Sequence, residues 1–351
     1  MKWNKILRRL APALFLLATS TVPVYAQAPF YQGKTLTVIV SSDAGGTSDV
    51  RVKSLIPYLQ KYVPGNPTVM VEYMPGGGGR KAANHVFRSA KPDGLTIGSM
   101  GTTLLAAAIQ GESGVLYDLN KFVYLGSSDA TTQHIFSTRK DMGLTHLEKL
   151  RGTAGVKIGA QSIGHNIYIT GRLFAYFLGL KEPRFVVGYS GPEIDLALLR
   201  GEVDARSSLI ASIVQRTPEW VDKGLVDFHA VLETPRGNRH PRFAHLPELE
   251  TFAKSENERK VLALQRAIRL GGSAIVLPPN TARDRVEILQ SAMRQALNDP
   301  GFPANFRKLV GEDPTPLMPE ELQKVIQEVP REPEAIALFN KIAGAERLPE
   351  R

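Results

Sequence analysis

The chain has 351 residues, 43 Lys and Arg against 34 Asp and Glu for a formal net charge of +9, and no cysteine. The missing cysteines exclude a disulfide framework, a thiol nucleophile and a thiolate metal site. The basic residues are scattered among acids and form no stripe with aromatics, which argues against a nucleic-acid partner.

Lys2, Lys5, Arg8 and Arg9 come first, with no acid among them. An apolar run from Leu10 to Ala18 and the small-residue site at Val24-Tyr25-Ala26 follow. This is the layout of a secretory signal peptide over residues 1–26, and the run is too short to span a membrane. The mature chain is expected to be exported and soluble, and loss of the four leader bases takes its formal charge from +9 to +5.

A strand, a short polar loop and a helix recur four times. Thr35-Leu36-Thr37-Val38-Ile39-Val40 is the first predicted strand, Ser41-Ser42-Asp43-Ala44-Gly45-Gly46-Thr47-Ser48 its loop, and 49–62 the helix, with Val52, Leu55, Ile56 and Leu59 on one face. Pro64-Gly65-Asn66-Pro67 leads into a strand that ends at Pro75, and then come Gly76, Gly77, Gly78 and Gly79 and a helix over 81–90. The turn Lys91-Pro92-Asp93-Gly94 introduces a further strand over 95–100. The third unit is a strand over 156–159, the loop Ala160-Gln161-Ser162-Ile163-Gly164-His165, and a helix closed by Gly179. The fourth is a strand over 184–189, the loop Ser190-Gly191-Pro192, and a helix ending at Gly201. The segment 236–247 reads as a surface loop, and 272–277 as a strand followed by helices. Repeated units of this kind predict an α/β fold of mostly parallel sheets flanked by helices. Ligands of such sheets sit beyond the carboxyl ends of the strands, where helix N-termini present free N–H groups. Two donor-rich loops between 35 and 80, and two between 156 and 195, therefore describe a cleft between two lobes.

Four chemistries compete for these loops. Gly77-x-Gly79-x-x-Ala82 fits a loose dinucleotide fingerprint, but no acid ends a second strand about 20 residues on, and Arg80-Lys81-Ala82 lacks the Lys-Ser or Lys-Thr of a phosphate loop. An exported protein would also lack a supply of nucleotide, so no cofactor is expected. Ala160 to Gly164 approximates a nucleophile elbow centred on Ser162, with His165, His229 or His240 as base and Asp195, Asp204 or Asp227 as orienter. A serine on a donor loop is more often a hydrogen-bond donor, and no Asp-then-His pair follows in recognisable loop context. Metal binding finds no support, because His240 and His245 have neither helical spacing nor a framing carboxylate. A carboxylate ligand needs only what is visible, namely several N–H and hydroxyl donors giving charge-assisted bonds.

At Gly45-Gly46-x-x-Asp49, Pro75-Gly76-x-Gly78-Gly79, Lys91-Pro92-Asp93-Gly94-Leu95-Thr96, 159–165, Tyr189-x-Gly191 and Gly201-Glu202-Val203-Asp204 the chain resembles the substrate-binding receptors of tripartite tricarboxylate transporters, the Bug family. The resemblance runs from about Thr35 to the C-terminal helices. It implies a type II, Venus-flytrap periplasmic binding protein that is not an enzyme and that closes on a carboxylated organic acid. It further implies a monomer that hands its ligand to a large and a small membrane subunit. The first-lobe contacts it implies are Ser42, Gly45, Gly46, Thr47, Ser48 and Asp49, with Gly76, Gly77, Gly78 and Gly79. Those of the second lobe are Gln161, Ser162, His165, Ser190, Gly191 and Asp204. Lobe 1 is expected over 27–128 and 271–351, lobe 2 over 129–246, and a crossover over 247–270. The sequence departs from the pattern at Asp43-Ala44, where Pro is customary, and at Ser190, where Lys is customary. An exported hydrolase using Ser162 and a ligand-presenting partner of a membrane sensor stand as alternatives.

Overall fold

The computed structural model describes residues 28–351 apart from Asp43 and Gly46. The predicted signal peptide therefore lies outside the described residues. In chain order the elements are β1 Thr35–Val40, α1 Thr47–Tyr62, β2 Thr68–Tyr73, α2 Arg80–Arg88, β3 Thr96–Ser99, α3 Thr103–Ile109, β4 Val123–Gly126 and β5 Thr132–Arg139. Next come α4 Leu147–Gly152, β6 Lys157–Gly159, α5 Asn166–Leu178, β7 Arg184–Val186, α6 Gly191–Arg200, β8 Ala205–Leu209, α7 Ile210–Arg216, α8 Pro218–Asp222 and β9 Val226–Thr234. The last are α9 Glu256–Leu270, β10 Ile275–Leu277, α10 Arg283–Leu297, α11 Phe302–Val310, α12 Pro319–Gln327 and α13 Pro333–Ala343.

The strands form two five-stranded sheets, ordered β2-β1-β3-β10-β4 and β7-β6-β8-β5-β9. In the first, β1 runs parallel to β2 and β3, and β10 runs antiparallel to both β3 and β4. In the second, β6 runs parallel to β7 and β8, and β5 runs antiparallel to both β8 and β9. Four strands of each sheet thus share a direction, and the reversed one occupies the same place in both.

Burial explains why these segments adopt these elements. Leu36, Val38 and Val40 of β1 are buried against Val52, Leu55 and Leu59 of α1, with Leu289 and Met293 of α10 and Phe302 and Phe306 of α11 completing the layer. Each large apolar side chain removed from water there contributes about 1.5–3 kcal/mol. In the second sheet, Phe136 of β5 stacks on Phe174 of α5 with ring centroids 5.5 Å apart. The chain passes between sheets at 127–131 and returns through 235–274. The C-terminal segment runs beside the first crossing, bridging Ser127 to Leu317 and Asp129 to Thr315.

Two segments carry more structure than the sequence shows. The crossover 247–270 holds the long helix α9, N-capped by Ser255, whose Oγ accepts the Glu258 N–H at 3.1 Å. Val261, Leu262, Leu264 and Ile268 bury its inner face, a pattern masked in the sequence by the charges between them. The segment 236–247 is not wholly superficial either, since Phe243 is buried against Ile135, Ile210, Ile213 and Val231.

Candidate functional site

The glycine loop sits at the carboxyl end of β2, beside those of β1 and β3. Gly76, Gly77, Gly78 and Gly79 have φ of 123°, 56°, 62° and 92°, four consecutive residues in a region that costs any side-chain-bearing residue about 1–2 kcal/mol. The Gly79 N–H donates to Gly76 O at 3.0 Å, while those of Gly77 and Gly78 begin the turn and have no intrahelical acceptor. The loop rests on neighbouring strand ends: a Cβ at Gly79 would lie 3.1 Å from Thr103 Oγ1 and 3.4 Å from Ser41 Cβ. Ser41 Oγ in turn accepts the Gly101 N–H at 3.2 Å.

The loop after β1 is organised differently. Asp49, fully buried in the first turn of α1, accepts the Gly45 N–H, the Lys53 ammonium and the Tyr73 hydroxyl. Burial alone would raise its pKa, but Lys53, the Gly45 N–H and Tyr73 outweigh burial and hold it below the usual carboxylate range. The Asp49 carboxylate, one of the expected ligand contacts, is here bonded within the protein and takes the Gly45 N–H. Ser42 is half-buried on the same loop, and Gly46 lies outside the described residues. Ser48, one residue into α1 from Thr47, lines a small cavity with Arg51, Ser99, Ser128 and Ser273. Its volume of about 10 Å³ matches one water molecule.

In the second lobe, residues 160–165 make a tight turn after β6. Its bonds are Gly188 N–H to Gln161 O at 2.7 Å and His165 N–H to Ser162 O at 3.0 Å. His165 caps α5, its Nδ1 accepting the Ile167 N–H at 3.2 Å. Ser190 caps α6 in a box with Glu193, whose carboxylate takes the Ser190 N–H at 2.6 Å. That bond and one donated by the Ser190 hydroxyl hold the Glu193 carboxyl below its usual range. Two of the four donor loops therefore already carry an acid of their own, Asp49 in one and Glu193 in the other. Gly191 O accepts from Arg206 Nη1 at 3.1 Å.

Asp204 does not belong to this group. Its backbone N–H donates to Lys157 O, and its Oδ2 accepts the Lys157 N–H at 3.0 Å. Lys157 is the first residue of β6, so Asp204 lies at the amino end of the strands, opposite the loops at 160–165 and 187–191. The strand order makes the correction: a loop that enters a parallel strand lies at the other edge of the sheet from loops that leave one.

Among the described residues no Ser-His-Asp hydrogen-bonded arrangement is assembled. His229 Nε2 bonds to Thr138 Oγ1 at 2.8 Å, and the Nδ1 atoms of His240 and His165 accept the Arg242 and Ile167 N–H groups, so these ring atoms are bonded elsewhere than to the Ser162 hydroxyl. Asp195 binds Arg206 and Arg216, and Asp227 binds Lys140. Burial pulls the His229 imidazole down to about 4 despite Asp227. Among the described residues there is no group of three or more His, Asp or Glu that could hold a metal, and no helix long and apolar enough to cross a membrane.

The sequence reading missed the charged groups at the junction of the lobes. Arg51 of α1 pairs with Asp129 on the first crossing, and donates to Ser273 Oγ at 3.2 Å and to Glu312 Oε1 at 3.4 Å. Arg269, in the last turn of α9, has its Nε buried without an acceptor. Nothing in a single sequence marks either arginine, because both lie on ordinary amphipathic helices. A larger cavity, about 650 Å³, lies between α5 and residues 345–351, and shares Ile163 and Val187 with the loops.

No family model and no curated protein matches the sequence. Solved structures do match over nearly the whole chain. A TctC solute-binding protein from Polaromonas superposes with a TM-score of 0.65 at 17% identity, covering 89% of this chain and 98% of that one. The periplasmic binding protein BugD gives 0.59 at 22% identity over 90% and 99%. MatC from Rhodopseudomonas palustris, solved with bound malate, gives 0.56 at 21% identity over 88% and 99%. The chain has the two-lobed fold of periplasmic solute-binding proteins.

Proposed function

We propose that the protein is an exported receptor of the Bug type. It would bind a small di- or tricarboxylate between its lobes and deliver it to the membrane subunits of a tripartite transporter. The observation that carries this reading is the glycine loop, exposed at the carboxyl end of β2, with the Gly77 and Gly78 amides unspent. A carboxylate is the ligand such donors serve best, because charge-assisted hydrogen bonds form without a counter-charge to desolvate. The fold supports the reading, since one solved protein that shares it holds malate. Binding works by closure: only the closed arrangement lets both lobes touch the ligand, so ligand shifts the population toward it. The crossings at 127–131 and 235–274 are where that motion is absorbed.

A thermal-shift screen against aliphatic and aromatic mono-, di- and tricarboxylates at neutral pH tests the reading. Ligand at a hundred times its dissociation constant adds about 2.7 kcal/mol of stability, seen as a raised midpoint. Gly78→Val should abolish the shift, because φ of 62° excludes a branched side chain. A flat response of the unmutated protein to every acid overturns it.

A further inference from the structure

Arg269 sits where both lobes and both crossings meet. Just beyond it, Gly271 and Gly272 press on the segment that follows β3: a Cβ on Gly272 would fall 2.2 Å from Thr102 Cγ2, and the Met100 N–H donates to Ala274 O at 2.9 Å. This fixes the end of α9 at the carboxyl edge of the first sheet. From the other lobe, β5 pairs Thr132 with Thr234 and His134 with Leu209, which places both residues at the carboxyl end of β8. Thr132 and His134 lie on one face of β5.

Each of these three residues carries a buried polar atom without a partner: Nε of Arg269, Nδ1 of His134 and Oγ1 of Thr132. His134 Nε2 is engaged by the Asn166 side chain at 2.8 Å, which leaves Nδ1 as the ring's remaining polar atom. The acids within reach of Arg269 are Asp129 and Glu312, and both are engaged by Arg51. Among the described residues Arg269 forms no ion pair, and its charge acts on His134 and His165 across the junction. Buried polar atoms in native proteins are paired, so a partly buried guanidinium whose Nε is closed off without an acceptor is a group that a ligand would satisfy.

We propose that Arg269 is an anchor for a ligand carboxylate at the junction of the lobes, with His134 and Thr132 as flanking polar contacts. The proposal rests on the carboxylate reading above and sharpens it. It assigns one carboxylate to a guanidinium, which grips both oxygens, and leaves the glycine amides for the other end of a diacid. Asp49 and Glu193 already take the Gly45 and Ser190 N–H groups, and a side-chain anchor supplies donors in their place.

Isothermal titration with succinate, malate and adipate, and with the monoamide of each, tests this on the unmutated protein, Arg269→Gln and Arg269→Lys. Arg269→Gln should weaken the best diacid by about 10- to 100-fold, the range expected for losing a charge-assisted bond. It should also erase the preference for diacid over monoamide, with Arg269→Lys falling between. The variant's ligand-free midpoint should hold or rise, because an unpaired charge is removed. If Arg269→Gln binds diacids as tightly as the unmutated protein, or lowers the ligand-free midpoint with affinity unchanged, Arg269 is structural and the proposal fails alone. If the unmutated protein binds no carboxylate, both readings fall together.

Discussion

Asp49 and Gly45 close the first loop on itself: the carboxylate Oδ2 accepts the Gly45 N–H at 2.7 Å across four residues. With Oδ1 on the Tyr73 hydroxyl at 2.8 Å, one buried side chain ties the start of α1 to its own entry loop and to the end of β2. Such a loop presents whatever donors remain in a fixed arrangement, which is what a receptor needs to avoid ordering costs on binding.

Asp49→Ala should therefore destabilise the protein by about 1–2 kcal/mol, since it strands the partly buried Tyr73 hydroxyl and the Gly45 amide. Asp49→Asn, which keeps an acceptor for Gly45, should cost less. Urea denaturation of both variants measures the difference, and equal costs would show that charge rather than the amide bond sets the loop.

Acid should weaken the fold well above the range where carboxylates titrate. Burial first, and the Arg269 charge second, pull His134 down to about 3, while burial takes His229 to about 4. Between those values and about 6.5 only the unfolded chain is protonated, so it binds more protons and stability rises with pH. Each histidine accounts for about 1.4 kcal/mol per pH unit once fully inside that window. Stability measured at pH 7, 6 and 5 should fall, and His229→Gln should flatten the fall. An unchanged slope would mean that the ring is wet.

Asp204→Asn separates the two ends of the second sheet. Its carboxylate holds the Lys157 N–H and lies 3.4 Å from Arg139 Nε. We expect a loss of about 1–2 kcal/mol in stability and carboxylate affinity within twofold of the unmutated protein. A tenfold loss of affinity at unchanged stability would return Asp204 to the ligand.

Gly126 ends β4 at the first crossing with φ of 119°, and a Cβ there would meet Leu317 O at 2.6 Å. Gly126→Ala should cost about 2–4 kcal/mol, through strain and through displacement of the Ser127–Leu317 bridge. Calorimetry should show the loss, and a change below 1 kcal/mol would mean that the C-terminal segment yields freely.

The four strand-loop-helix units were legible because each obeys local rules, with apolar strands, glycine turns and amphipathic helices. The helix read as 81–90 runs over 80–88, and the strand read as 272–277 over 275–277. The reversed strand β5 and the helix α9 were not legible. Strand β5 is buried on both faces, so TQHIFSTR shows no alternation, and charges interrupt the apolar face of α9. In the site, the glycine loop could be read because four consecutive glycines have few other uses. The bonds of Asp49 and Asp204 and the placement of Arg269 could not, because each depends on which edge of a sheet, or which crossing, a residue meets in space.

The placement of β10 has a consequence for how the molecule comes into being. The second sheet draws all its strands from 132–234, whereas the first needs β10, residues 275–277, between β3 and β4. A chain emerging from its N-terminus can complete the second sheet while the first still has a gap beside its edge strand β4. Lobe 2 is thus free to assemble early as a unit, and the first three strands of lobe 1 must wait, with β3 and β4 unjoined, for a segment some 150 residues downstream of β4. The architecture that lets the chain cross twice between lobes also sets a schedule. The lobe that begins first is the one that finishes last.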